Sequence, residues 1–175
     1  MNDCSEEAKI TFQCKQSLSL FDIERFFSWH RLLGVTAWIL RFISKSKRAR
    51  LQKSQETVNE QNDSLEKVLE SKEISNAGKY WVRETQRECF SEELTTLRGR
   101  GSVLRSSPLW RLSPFVDSDG ILRVGGRLEM SNLPYDAKHP VILPKKDHIS
   151  KLVIAHLHNQ GHDNLGVNFT VVVEV

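Results

Sequence analysis

No two cysteines of this chain stand close enough to form a Cys-x2-Cys pair, and none follows Cys89. The three present, Cys4, Cys14 and Cys89, are odd in number and widely spaced. That excludes a disulfide framework and makes a reducing, intracellular compartment the default, nucleus or cytoplasm alike. A long apolar run is also missing. The most hydrophobic stretch, Phe26 to Ile43, is interrupted by His30 and Arg31 and flanked by Arg25. A membrane span needs about 20 mostly apolar residues, so no membrane partner is expected. The start, MNDCSEEAKITFQC, is acidic and lacks the apolar centre of a secretory signal. Catalytic signatures are absent as well. There is no H-E-x-x-H and no G-x-S-x-G, and Gly125-Gly126-Arg127 lacks the Lys-Ser/Thr and the following helix of a phosphate loop. His139 has no serine or cysteine partner in view. The chain therefore reads as a non-enzyme with no small-molecule substrate. A net charge of +3 in 175 residues permits nucleic-acid contact without requiring it.

What is present divides into six segments. Residues 1–20 form a polar, flexible leader. Residues 21–50 predict an amphipathic helix with a basic end, capped by Asp22, in which Ile23, Phe26, Phe27, Trp29, His30, Leu33, Ala37, Trp38 and Leu40 recur at helical spacing. These aromatics are expected in the core. The basic end, Ser44-Lys-Ser-Lys-Arg-Ala-Arg50, reads as a solvated helix terminus suited to the helix dipole or as a nucleic-acid patch of Lys45, Lys47, Arg48 and Arg50. Residues 51–74 have few apolar anchors and read as a polar linker or exposed helix.

Residues 75–106 predict a second amphipathic helix and a loop. Ser75 can cap it, Ala77, Tyr80, Trp81, Cys89, Leu94 and Leu97 give its apolar face, and Gly99 and Gly101 stop it. Cys89 reads as a packed thiol. Residues 107–146 carry strand texture: Leu109 to Val116, the turn Asp117-Ser-Asp-Gly120, then Ile121 to Val124, and Val141 to Leu143 between two prolines. Pro114 marks an edge or a bulge. Such a small antiparallel unit must pack on a helix, because a lone hairpin is marginal in water. In residues 147–175, Asp147 caps a last helix, His148 to about Asn159, with Ile149, Leu152, Val153 and Leu157 facing inward. The fold class is thus α+β: two or three helices, a small antiparallel β unit and a C-terminal helix carrying histidines.

Four of the six histidines fall between 148 and 162. His158 and His162 have the spacing H-x3-H, and two neutral imidazoles near a helix end can supply half of a tetrahedral zinc site. His156 lies about 200° around an ideal helix from His158, so those two do not serve together. A closed structural site needs four ligands. On the residues alone, solvated surface histidines explain the pair as well as a metal does.

Four blocks resemble a known family. Phe26-Phe-Ser-Trp-His-Arg-Leu-Leu-Gly-Val-Thr-Ala-Trp-Ile-Leu-Arg-Phe42 is similar to the segment after the ribonuclease H region in Pol polyproteins of BEL/Pao retrotransposons. Lys79-Tyr-Trp-Val-Arg83 resembles a helix of the same connecting region. Leu112 to Leu128, with Leu122-Arg-Val-Gly-Gly-Arg-Leu128, resembles its most distinctive block, and Lys138-His-Pro-Val-Ile-Leu-Pro144 resembles the lead into the integrase zinc-binding domain. The blocks stand in family order and span roughly residues 21 to 170.

The resemblance implies a zinc module of two histidines and two later cysteines, which helps the integrase to fold, multimerise and contact element-end DNA. By position His158 matches the first ligand. The second falls at His162 or at the Asp163 position, with His162 favoured. Asn164 to Thr170 resembles the start of the next helix, and the resemblance stops at Val171-Val-Val-Glu-Val175. The expectation is a non-catalytic piece of Pol, without integrase core, reverse transcriptase or ribonuclease H, and with half a zinc site that does not hold the metal stably. Its partners would be DNA or other Pol segments. The alternative is a host-used protein- or nucleic-acid-binding module.

Overall fold

The computed structural model describes residues 22–52, 68–126, 132–159 and 171–174. They form an α+β fold of helices on a small sheet. Asp22 does cap, but it caps a 3-10 turn over Ile23–Arg25, accepting the Glu24 N–H at 3.3 Å. The backbone is extended at Phe26, and helix α1 runs Trp29–Gln52, starting later than the apolar spacing suggests. Its buried stripe is Trp29, Leu32, Leu33, Thr36 and Ala37. The expectation that these aromatics are core fails for two of them, Phe27 at 89% exposed and Trp38 at 43%; Phe42, outside that pattern, is 72% exposed.

The second expected helix is two helices. Helix α2 runs Ser71–Cys89 and α3 runs Ser91–Arg100. Ser75 lies inside α2. The Glu73 carboxylate accepts the Glu70 N–H at 2.9 Å, so the helix starts earlier. Phe90 leaves helical geometry (φ −123°, ψ 36°), and its buried ring turns the chain into a different core. Gly101 ends α3 at φ +72°, while Gly99 lies within it. The expected linker thus lends residues to α1 and α2 at its two ends, and residues 53–67 lie outside the described residues, as does the leader. Cys89 is exposed rather than packed.

Strands β1 (Phe115–Val116), β2 (Leu122–Arg123), β3 (Val141–Leu143) and β4 (Val171–Glu174) form one sheet in that order. The first three are antiparallel neighbours, and β4 is parallel to β3, pairing Val141 with Val171 and Leu143 with Glu174. The strand expected from Leu109 begins only at Phe115. Pro108–Leu112 is a 3-10 turn, because the Ser107 hydroxyl caps it by accepting the Leu109 N–H at 3.2 Å. Helix α4 (Tyr135–Lys138) leads into β3, and α5 (His148–Asn159) follows it, with the Asp147 carboxylate accepting the Ser150 N–H at 3.2 Å as expected. Leu157 does not face inward; it is 37% exposed.

The sheet separates two cores. Ile121, Val141 and Leu143 face α1, α2 and α5, where Trp29, Leu32, Trp81, Val82, Leu152 and Val153 are buried. Leu122 and Ile142 face Phe90, Leu94, Leu97 and Leu109. All three residues of β3 are buried, which explains its unbroken apolar run. Gln86 of α2 joins sheet to helix. Its amide nitrogen donates to the carbonyls of Leu122 (2.9 Å) and Ile142 (2.7 Å), and its oxygen accepts the Leu122 N–H (2.7 Å). A helix side chain thus adds three hydrogen bonds beside the direct β2–β3 pairing. Among the described residues no helix is long and apolar enough to cross a membrane.

Candidate functional site

Of the zinc half-site expected from the histidines, His158 lies on α5. Its cap at Asp147 and the buried Ile149, Leu152 and Val153 hold the helix against α1 and α2. That leaves its last turn outward, with His158 exposed at the end. His162 lies outside the described residues. His156 is partly buried, and burial first, then the charge of His30, pushes its pKa below the ordinary histidine value. A neutral imidazole is the form that ligates a metal, yet His156 faces α1. The other two described histidines of the C-terminal half are used structurally. His148 bonds the Phe26 carbonyl through Nε2 at 3.0 Å, and His139 bonds the Val124 carbonyl through Nδ1 at 3.2 Å. Among the described residues no three His, Cys, Asp or Glu side chains gather as a metal site. The donors described do not complete a tetrahedral zinc shell, so no chemistry is routed through that metal.

A second constellation surrounds Arg123, whose side chain is 7% exposed. Its Nε donates to Asp117 Oδ2 at 2.5 Å, and one terminal nitrogen donates to Asp136 Oδ1 at 2.9 Å and to the His139 carbonyl at 2.8 Å. The guanidinium lies 5.2 Å from the centre of the Tyr135 ring. Burial alone pulls its pKa down, but the hydrogen bonds and charges of Asp117 and Asp136 outweigh that and hold it above the ordinary arginine value. Asp117 Oδ1 also accepts the N–H groups of Asp119 and Ile121, both at 2.9 Å, which shapes the turn. Arg123 and Asp117 are thus buried and committed to the fold, while Asp136 lies at the rim, 39% exposed. The sequence reading took Asp117 and Asp119 as turn residues and missed the partnership with Arg123.

The basic run lies along the last turns of α1, but the helix splits it. Lys45 and Arg48 line an open groove of about 260 Å³ toward α2, together with Ala37, Leu40, Arg41 and Glu73. Lys47 and Arg50 lie on the opposite side of the helix at about 100° per residue. Arg41 bridges to α2: it hydrogen-bonds both oxygens of Glu73 and donates to the Val68 carbonyl at 2.9 Å. It also stacks 4.7 Å from the centre of the Trp38 ring. The sequence reading missed a feature that was countable. Between Arg25 and Glu56 there is no acidic residue, while α1 carries Arg31, Arg41, Lys45, Lys47, Arg48 and Arg50.

No family model, no curated protein and no solved structure matches this chain.

Proposed function

We propose that the chain is a non-catalytic segment of a retrotransposon Pol polyprotein, equivalent to the linker before the integrase and the first part of its zinc-binding module. One observation supports this reading above the others. The four blocks that carry the resemblance each meet the next in space. Thr36 of the first accepts the Trp81 indole N–H of the second at 2.8 Å. Lys79 of the second pairs with Asp119 of the third at 2.7 Å. Arg123 and Val124 of the third bond His139 of the fourth. Blocks that act as one unit of a polyprotein need mutual contacts of this kind. The role is that of a scaffold that presents the last turn of α5 at a set place on the α1–α2 pair.

The test is a strand-transfer assay with element-end DNA, magnesium or manganese, and the purified chain. Product no higher than in the protein-free control is expected, and metal-dependent joining refutes the proposal. A zinc titration should show no tight one-to-one binding, because His158 and His162 are two ligands of a required four. Sub-micromolar zinc affinity of the monomer would overturn that part.

A second reading has its own observation. The concentration of cations on α1 without a single acid favours a binding module for nucleic acid, in a host role or within the element.

A further inference from the structure

Helix α1 is a cationic rod in a chain whose net charge is only +3. Its inner side is committed: Trp29, Leu32, Leu33, Thr36 and Ala37 are buried against α2, α5 and the sheet. On the opposite side, at about 100° per residue, Arg31, Trp38, Phe42 and Lys45 fall within a stripe roughly 60° wide, with Lys45 at its edge toward the α2 groove, where its charge also acts on Glu73. All four are exposed. The stripe is about 21 Å long from Arg31 to Lys45 at 1.5 Å per residue. Trp38 and Phe42 are about one turn apart, so both side chains leave the same face of the helix between the two cations. Arg41, fastened to Glu73, braces the indole of Trp38 from the flank. Arg48 adds a further exposed charge at the groove toward α2.

An exposed aromatic pair on a helix with no acid needs a partner that is both anionic and planar. An apolar helix face of a second copy fails the first requirement, since two such stripes would oppose cation to cation. Duplex DNA fails the second, since its base faces are stacked inside. We propose that this outward stripe of α1 binds single-stranded nucleic acid, with bases stacked on Trp38 and Phe42 and phosphates held by Arg31, Lys45 and Arg48. The proposal rests on the nucleic-acid reading above and narrows it to one strand form and one face. Lys47 and Arg50 are not part of it.

The experiment is fluorescence anisotropy with a labelled oligothymidine of about 20 nucleotides and with a duplex of the same length, across a salt series. The full chain is compared with Trp38→Ala/Phe42→Ala and with Arg31→Glu/Lys45→Glu, all at exposed positions, with circular dichroism confirming the fold. The single strand should bind more tightly than the duplex. Three phosphate contacts predict a slope of log affinity against log salt of about −2. The aromatic double substitution should weaken binding roughly tenfold or more without changing that slope. The charge reversal should flatten it. Equal or tighter duplex binding, indifferent to the aromatic substitutions, overturns this proposal and leaves the nucleic-acid reading standing. Binding to neither form overturns both. Concentration-dependent dimerisation that Trp38→Ala abolishes assigns the stripe to a second copy and also overturns it.

Discussion

Arg123 shows how much can depend on a single side chain. Its removal leaves the Asp117 carboxylate, 4% exposed, with a charge and no counter-ion. Arg123→Met should therefore cost about 3 kcal/mol, measured as a fall in the urea midpoint, even though methionine is itself apolar and suited to burial. The Asp-Ser-Asp-Gly turn itself was legible in sequence, since Gly120 supplies the positive φ and Asp117 accepts from the backbone beyond it. Its ionic partner was not legible, because Asp136 reaches Arg123 only after the chain has turned through α4. Gly125 is similar. A Cβ there would lie 2.2 Å from the Ser113 carbonyl oxygen. The Gly-Gly pair was visible, but its reason depends on Ser113, which holds φ +46° after a 3-10 turn that was expected to be a strand.

Between elements, the clamp of Arg41 on Glu73 locks α1 to α2. The hydrogen bond from Arg41 is the main cause that holds the Glu73 carboxyl below its ordinary value of 4.5, against a smaller opposing effect of burial. A carboxyl with a lowered folded-state pKa contributes stability that is fully present above the ordinary value. That contribution is lost as the pH falls through the depressed one. Glu73→Gln should cost about 1 kcal/mol near neutrality, and the variant should show a shallower loss of stability in acid than the parent, as read by thermal melts across pH. Helical periodicity revealed α1, α2 and α5, and Asp147 was recognisable as a cap. The break at Phe90 was not, because a buried aromatic at a helix junction has the same spacing as one within a helix. The basic run was equally easy to see, but which residues share a face follows from the helix's orientation on its core. The outward placing of Trp38 reversed the expectation that it is core, since Leu32, Leu33 and Ala37 already fill the side that faces α2 and α5.

For the whole molecule, the sheet is the partition on which everything else is hung, and β3 is its central plate. The parallel pairing with β4 was outside the sequence reading, which took Val171 to Val175 only as the point where the resemblance stops. Deleting residues 171–175 should uncover the backbone of Val141–Leu143 along one edge. The expected outcome is a fall in Tm, at about 2–4 °C for each kcal/mol lost, with increased light scattering on heating as the bare edge finds other chains.

The Gln86 amide ties the completion of the sheet to the docking of α2. It closes contacts with residues 36 and 56 positions away, through Leu122 and Ile142. A chain that forms its hairpin early and pairs β3 with it still lacks the hydrogen bonds that Gln86 makes to Leu122 and Ile142, and only the incoming α2 brings them. Loop-closure entropy must be met before any of the three hydrogen bonds forms. The full set of hydrogen bonds at Leu122 and Ile142 therefore closes only when α2 docks on the sheet.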